Sequence, residues 1–229
     1  MTIHAQALLF DNDGTLVFSL ASVDRCWTRW AGEYGITAEE FGRIELHGRP
    51  AAEIAADLLP AGIVPEAVAR IEQAGGRGRT QRGRPTAARH PGVPRLAALP
   101  QLLGFARSRG TPIRWAVVTS ATRRLAEARL DAVGIRPKKM VAADDVTRGK
   151  PGPEPYLLAA RRLGVDPAHC VVFEDAPAGL QAGRAAGMTT VALATTHAAH
   201  ELDADLVVSD LSALSALVTA QGVEISAHV

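Results

Sequence analysis

The stretch LLFDNDGTLV, residues 8–17, joins an apolar run directly to two aspartates that stand two positions apart. Carboxylates at this spacing repel one another, and an apolar neighbourhood makes each charge more costly. A short apolar run is typical of a buried strand in a parallel sheet, and ligands bind beyond the carboxyl ends of such strands. Asp11 and Asp13 are therefore the first candidate functional residues.

The second half of the chain supplies the rest of the predicted sheet. Apolar runs at 113–119, 140–143, 170–173, 189–194 and 205–208 predict strands, with residues 7–10 as a further strand. Stretches of helical periodicity lie between them, at 122–133, 154–163, 176–186 and 211–218. Strands that alternate with helices predict an α/β fold, a doubly wound parallel sheet with helices on both faces.

Residues 19–73 carry no strand signal and predict a helical insert, with Trp27 and Trp30 in its core. Helices are predicted at 38–46, 51–59 and 65–73 as well as along the tryptophan segment. We predict an α/β core formed by residues 1–18 and 90–229, a helical cap over 19–73 and a linker over 74–89. The linker region is rich in glycine and has six arginines between Arg77 and Arg95. Such tracts bind nucleic acid in other proteins, but this one lacks interleaved aromatic residues, so a solvated linker is the favoured interpretation.

Composition restricts the class of partner. The formal net charge is +1, and the two cysteines, Cys26 and Cys170, give no disulfide framework. The N-terminal residues lack the pattern of a signal peptide, and no apolar run is long enough to cross a bilayer. We expect a cytoplasmic monomer that acts on a small molecule, with no membrane or nucleic-acid partner.

Polar clusters also follow other strands of the predicted sheet. Together with the two aspartates they comprise Thr119–Ser120–Ala121, Lys150 and the pair Glu174–Asp175. One strand-end aspartate commonly caps a turn or a helix, but four polar clusters at one edge are hard to explain in that way. Four gathered carboxylates require a hard cation, and Mg²⁺ takes oxygen ligands.

These residue types fit phosphoryl transfer. An ionised aspartate, Asp11, can attack phosphorus, and Asp13 can protonate the leaving oxygen and later deprotonate water. Lys150 and the Ser120 hydroxyl can stabilise the transferring phosphoryl oxygens. Gly14 permits the turn and the close approach of the backbone.

Four segments resemble the motifs of the haloacid dehalogenase superfamily: DxDGT at 11–15, VVTSAT at 117–122, GKPGPEPY at 149–156 and FEDAPAG at 173–179. Their order and spacing are similar to those of members with a cap inserted after the first motif. The sequences of the last three motifs, and RCWTRWAGEYGI in the cap, most resemble those of phosphatases that act on glycerol phosphate, deoxyglucose phosphate and other sugar phosphates. The resemblance implies a Rossmann-like core and a Mg²⁺-dependent phosphatase.

The resemblance also assigns roles by position. Asp11 matches the nucleophile and metal ligand, and Asp13 matches the acid/base, whose main-chain carbonyl meets the metal. Asp175, with Glu174 beside it, matches the remaining metal ligands. Phosphate binding is assigned to Lys150, Ser120 and the amide of Ala121. Thr119 remains an alternative to Ser120, and Asp145 matches an acid that orients the lysine.

Three questions stay open from the sequence. Arg49, with His47 and Gly48, lies where relatives place a basic residue facing the substrate, although an exposed arginine in a turn is an equal interpretation. His197 and His200 have the spacing of helical metal ligands but lack a third partner, so surface histidines are favoured. A phosphomutase like β-phosphoglucomutase shares every core residue and is the alternative to the phosphatase.

Overall fold

The computed structural model describes residues 2–18, 20–44, 46, 49–76 and 113–228. Its main sheet has six parallel strands in the order β4-β3-β2-β5-β6-β7. The strands are β2 (Ala7–Phe10), β3 (Arg114–Val118), β4 (Met140–Val141), β5 (Cys170–Glu174), β6 (Thr189–Leu193) and β7 (Leu206–Val208). The predicted doubly wound parallel sheet is confirmed.

The centre of this sheet is apolar on both faces. All four residues of β2 are fully buried, and β2 pairs with β3 on one side and β5 on the other. Helices α5 (Arg123–Ala132), α6 (Glu154–Leu163) and α7 (Pro177–Ala185) follow β3, β4 and β5 respectively. The carboxyl ends of β2, β3 and β5 therefore lie at one edge of the sheet, and the polar clusters that follow these strands lie at the same edge.

A second sheet packs beside the first and corrects one prediction. It is antiparallel, in the order β1-β9-β8, and consists of β1 (Thr2–Ala5), β8 (Leu214–Val218) and β9 (Val223–Ala227). The helix predicted over 211–218 is wrong, because a short 3₁₀ turn, Leu211–Ala213, leads into a strand. Leucines three residues apart fit a helical face, but pairing with β9 buries Leu214 and Val218 instead.

The cap helices are α1 (Leu20–Glu33), α2 (Ala38–Phe41), α3 (Ala51–Leu58) and α4 (Val64–Gly76). They share their own apolar cluster, in which the Trp30 indole donates to the Ala67 carbonyl at 2.8 Å. Helix α2 ends before the predicted residue 46, and α4 continues past the predicted boundary at 73. The predicted linker thus begins inside α4, and its residues 77–89 lie outside the described part of the chain.

The cap helices contact the α/β core. Helix α4 packs against α5. A Cβ built on Gly149 would lie 2.8 Å from Cγ of Pro50, the residue before α3. The loop that carries Lys150 therefore touches the start of α3, and the cap helices cover the sheet edge where the polar residues meet.

Candidate active site

Lys150 is the centre of the buried polar network. Its side chain is 1% exposed, and its ammonium group donates to Asp11 Oδ1 at 2.6 Å, to Glu174 Oε1 at 2.5 Å and to the Val118 carbonyl at 2.9 Å. These three acceptors come from the ends of β2, β3 and β5. Burial opposes the charge, but Asp11 and Glu174 outweigh it and raise the pKa of Lys150 above its usual range. Lys150 is therefore a cation at neutral pH.

Tyr156 completes this network, and the sequence analysis missed it. Its fully buried hydroxyl donates to Glu174 Oε1 at 2.7 Å from helix α6. Glu174 Oε2 accepts from the Asp175 amide at 3.2 Å, so both carboxylate oxygens are held. Gly179 lies directly against this carboxylate, which occupies the space that a Cβ would need. Tyr156 lies in the GKPGPEPY segment, on an otherwise apolar face of the predicted helix, so nothing in the sequence indicated that its hydroxyl binds a buried carboxylate.

Three carboxylates lie together beside the lysine. Asp11, Glu174 and Asp175 each place a carboxylate oxygen within 4.8 Å of the others, and all three residues are buried. Burial, reinforced by the charge of Glu174, raises the pKa of Asp11 well above its usual range and that of Asp175 to about 7. A buried oxygen-donor set with one neighbouring cation fits a divalent metal ion. The Asp13 carboxylate is not part of this cluster, and the role of its main-chain carbonyl toward a metal remains a prediction.

Asp13 faces a different partner, Arg129 of helix α5. The guanidinium donates to Asp13 Oδ2 at 2.5 Å, and the Asn12 side-chain amide donates to the same oxygen at 3.2 Å. The sequence analysis did not assign Arg129 to the site. The sequence feature that could have indicated Arg129 is its position on the apolar face of the predicted helix, one turn after Leu125. Asp13 is thus paired with Arg129, whereas Asp11 is paired with Lys150.

A cavity between the cap helices and the core contains the site. It encloses about 790 Å³ when the solvent-filled space at its open mouth is included. Its walls include Asp11, Asp13, Thr119, Ser120, Ala121 and Arg129 from the core, and Trp27, Leu46, Arg49 and Glu72 from the cap. Asp11, Asp13, Ser120, Ala121 and Arg49 therefore line one cavity, whereas Lys150, Glu174 and Asp175 are not among its lining residues.

The choice between the two hydroxyls stays open. Both Thr119 and Ser120 line the cavity, and the Thr119 hydroxyl accepts from the Ala121 amide at 3.1 Å. Arg49 donates to Asp57 at 2.8 Å, which anchors its guanidinium to helix α3 at the cavity wall. His47 and Gly48 lie outside the described residues.

Two expectations from the sequence need correction. Asp145 does not reach Lys150, because its carboxylate accepts from Arg123 at 2.6 Å, Arg162 at 3.2 Å and the Ala142 amide. Glu174 takes the orienting position beside the lysine. His200 is exposed as expected, but His197 is half-buried, and its Nδ1 lies 3.0 Å from the Asp175 carbonyl.

Comparison with known proteins agrees with this geometry. A family model described as haloacid dehalogenase-like hydrolase matches residues 5–187, which include every core residue of the site. The chain belongs to the haloacid dehalogenase-like hydrolases. The resemblance of the four motifs is thereby confirmed at the level of the family.

Two relatives of this hydrolase are named as phosphatases. It is 36% identical over 192 residues to hexitol phosphatase A of Escherichia coli (strain K12), covering 83% of this chain and 84% of that one. It is 34% identical over 208 residues to glycerol-1-phosphate phosphohydrolase 1 of Saccharomyces cerevisiae, covering 86% and 77%. The fold also matches CbbY from Rhodobacter sphaeroides in complex with phosphate, with a TM-score of 0.67, 26% identity and coverage of 91% and 95%.

No helix in the described ranges is both long and apolar enough to cross a membrane.

Proposed function

We propose that this hydrolase is a Mg²⁺-dependent phosphatase that removes phosphate from a small phosphorylated sugar or polyol through an aspartyl-phosphate on Asp11. The observation that carries the proposal is the contact of 2.6 Å between Asp11 and the buried Lys150, next to Asp175. A nucleophile, a phosphate-binding cation and a metal ligand thus meet in one buried cluster, and the nucleophile Asp11 also lines the cavity. The named activities of the hexitol and glycerol-phosphate relatives support the substrate class.

The residues that would hold Mg²⁺ are Asp11, Asp175 and the main-chain oxygen of Asp13, with Glu174 in the same carboxylate cluster. Bound there, the cation would neutralise these carboxylates, so that a phosphate dianion could approach them. Both oxygens of Glu174 already accept hydrogen bonds, so its main task in this proposal is to orient Lys150.

The first half of the reaction transfers the phosphoryl group to the protein. An Asp11 oxygen forms a bond to phosphorus while the bond between phosphorus and the leaving oxygen breaks. Lys150, Ser120 and the Ala121 amide donate to the phosphoryl oxygens and stabilise their charge. For this, Lys150 exchanges its bond to Asp11 for the phosphoryl group, and the Ala121 amide exchanges its bond to the Thr119 hydroxyl. Asp13 gives its proton to the leaving oxygen, so the alcohol departs neutral. To do this, Asp13 must exchange its Arg129 contact for the substrate.

The second half restores the enzyme. Asp13, now ionised, removes a proton from a water molecule, and that water attacks the phosphorus of the aspartyl-phosphate. The bond between phosphorus and Asp11 breaks, inorganic phosphate leaves, and Asp13 keeps the proton for the next cycle. The same carboxyl group therefore serves both half-reactions, which requires it to lie at the cavity wall, as it does.

Substrate choice belongs to the cap side of the cavity. The core residues contact only the phosphoryl group, so they cannot distinguish one sugar from another. Arg49 is the predicted contact for substrate hydroxyls, and Trp27 gives an aromatic wall beside it. This assignment of Arg49 is part of the proposal.

A phosphate-release screen tests the function. Hexitol, sugar, glycerol and glycolate phosphates are assayed with Mg²⁺, with a chelator, and with the Asp11→Asn variant. We expect release from a sugar or polyol phosphate, loss of release in chelator, recovery with Mg²⁺, and no release by the variant. Full activity in chelator would contradict the metal, and release by Asp11→Asn near the wild-type rate would contradict the nucleophile.

The two alternatives predict other results. A phosphomutase would isomerise a sugar phosphate, depend on a bisphosphate activator and release little phosphate. Nucleic-acid binding through the arginine–glycine segment would appear as salt-dependent retention on immobilised DNA. Most of that segment lies outside the described residues, and the linker interpretation remains a prediction, as do the cytoplasmic location and the monomeric state.

A further inference from the structure

The loop after β6 reaches into the metal-binding cluster, although no motif includes it. Thr196 Oγ1 lies 2.6 Å from Asp175 Oδ2 and 2.8 Å from the Asp175 carbonyl oxygen. The neighbouring Thr195 hydroxyl donates to the Gly14 carbonyl at 2.7 Å. One loop therefore contacts both the segment that carries the nucleophile and the segment that carries Asp175.

The single proton of the Thr196 hydroxyl has two possible acceptors on Asp175. Hydrogen bonds to a carboxylate are shorter and stronger than those to a neutral carbonyl, and the carboxylate contact is the shorter one here. The proton therefore goes to Oδ2, and His197 Nδ1 lies 2.8 Å from Thr196 Oγ1 and 3.0 Å from the Asp175 carbonyl oxygen. Thr15 donates to the other carboxylate oxygen of Asp175 at 3.2 Å. Each oxygen of Asp175 thus accepts one hydroxyl and keeps a lone pair for a cation.

These bonds act against a repulsion. Asp11, Glu174 and Asp175 are buried within a few ångströms of one another, so electrostatics alone would drive the Asp175 carboxylate away from the cluster. The space over Gly14 is also filled, because a Cβ there would overlap the Asp175 carboxylate and lie 2.8 Å from Cγ2 of Thr196. The Thr196 hydroxyl therefore holds this carboxylate, and the methyl group of Thr196 lies over Gly14 beside it.

We propose that Thr196 is a positioning residue that holds Asp175 ready to bind the divalent cation. The proposal rests on the proposed function, since it assumes that Asp175 is a metal ligand. Hydrogen bonds that orient a metal ligand typically change metal affinity by about 10–100-fold when they are lost. Thr196 binds neither phosphate nor the leaving group in this account, so its effect is on the metal alone.

The test is the affinity for Mg²⁺, measured by titration calorimetry on the whole chain after chelator treatment. Thr196→Val, which keeps the shape and removes the hydroxyl, should weaken Mg²⁺ binding by about 10–100-fold. Thr196→Ser, which keeps the hydroxyl, should stay within about threefold of the wild type. If the valine variant does not fold, as judged by circular dichroism, Thr196→Ala replaces it with the same expectation.

Thr190→Val is the matched control. The hydroxyl of the buried Thr190 also donates to an aspartate, the exposed Asp205, at 3.0 Å, but it lies at the opposite end of β6 from the cluster. Its loss should leave Mg²⁺ affinity unchanged. Equal Mg²⁺ affinities for Thr196→Val and the wild type would overturn the inference, and so would an equal loss in Thr190→Val. A wild-type chain that binds no Mg²⁺ would overturn the metal in the proposed function itself.

Discussion

Replacing Lys150 by methionine separates the structural part of the buried network from its chemistry. Methionine keeps most of the side-chain volume but removes the ammonium group that donates to Asp11, Glu174 and the Val118 carbonyl. Removing one partner of a buried ion pair costs about 3–5 kcal/mol, because the remaining charge has no compensation. Lys150 has two carboxylate partners and is 1% exposed, so we expect the upper part of this range.

The loss should depend on pH in a defined direction. Burial already raises the pKa of Asp11, and removing the lysine raises it further. The folded variant therefore takes up protons more readily than the unfolded chain, which restores part of its stability as the pH falls. Urea unfolding in chelator should show a larger loss at about pH 8 than at about pH 6.

A double variant supplies the control for this experiment. Adding Glu174→Gln to Lys150→Met removes one uncompensated charge and keeps an acceptor for the Tyr156 hydroxyl. It should recover part of the lost stability, by about 1–3 kcal/mol, without recovering any phosphate release. A cost below about 1 kcal/mol for Lys150→Met at both pH values would refute the reasoning, because buried pairing would then contribute little.

Three further predictions follow from the site. Burial and Glu174 raise the pKa of Asp175 to about 7. Without metal, the free energy of unfolding should therefore fall as the pH rises towards 7, by up to about 1.4 kcal/mol per pH unit. Urea unfolding in chelator measures this slope, and an equal slope for Asp175→Asn would contradict the prediction. Arg49→Ala should lower kcat/KM for the preferred substrate by a factor that corresponds to about 1–3 kcal/mol of transition-state stabilisation, and should leave kcat/KM for p-nitrophenyl phosphate unchanged. Equal losses on both substrates would make Arg49 a structural or phosphate-binding residue. The fully buried Asn12 has a side-chain oxygen with no partner, while its amide donates to Asp13, and Asn12→Leu removes both, so the free energy of unfolding should change by less than about 1 kcal/mol; a loss above about 2 kcal/mol in urea unfolding would count against this.

The parallel core could be predicted from sequence because its signals are local. Buried strands such as β2 and β5 are short apolar runs, and each ends directly at a polar cluster. The carboxyl ends of adjacent parallel strands lie at one edge, so the meeting of Asp11, Lys150 and Asp175 follows from the strand assignments alone. The family motifs made these assignments firmer.

The remaining features depend on contacts that are distant in sequence. Residues 214–218 form a strand only because residues 223–227 pair with them, and no local pattern shows that pairing. Asp145 is an acidic residue that could pair with a lysine, but its carboxylate accepts hydrogen bonds from Arg123 and Arg162 instead. Thr196 lies 21 residues after Asp175, and a single threonine in a loop carries no motif.

The central claim is that phosphate passes through a covalent bond to Asp11. The most direct test is an acid-quenched turnover with the best substrate of the screen, followed by mass spectrometry of the peptide that carries residues 8–17. We expect a phosphoryl group on Asp11 during turnover, and none on the same peptide of the Asp11→Asn variant. Rapid release of phosphate with no phosphoryl group on Asp11 at any quench time would contradict it.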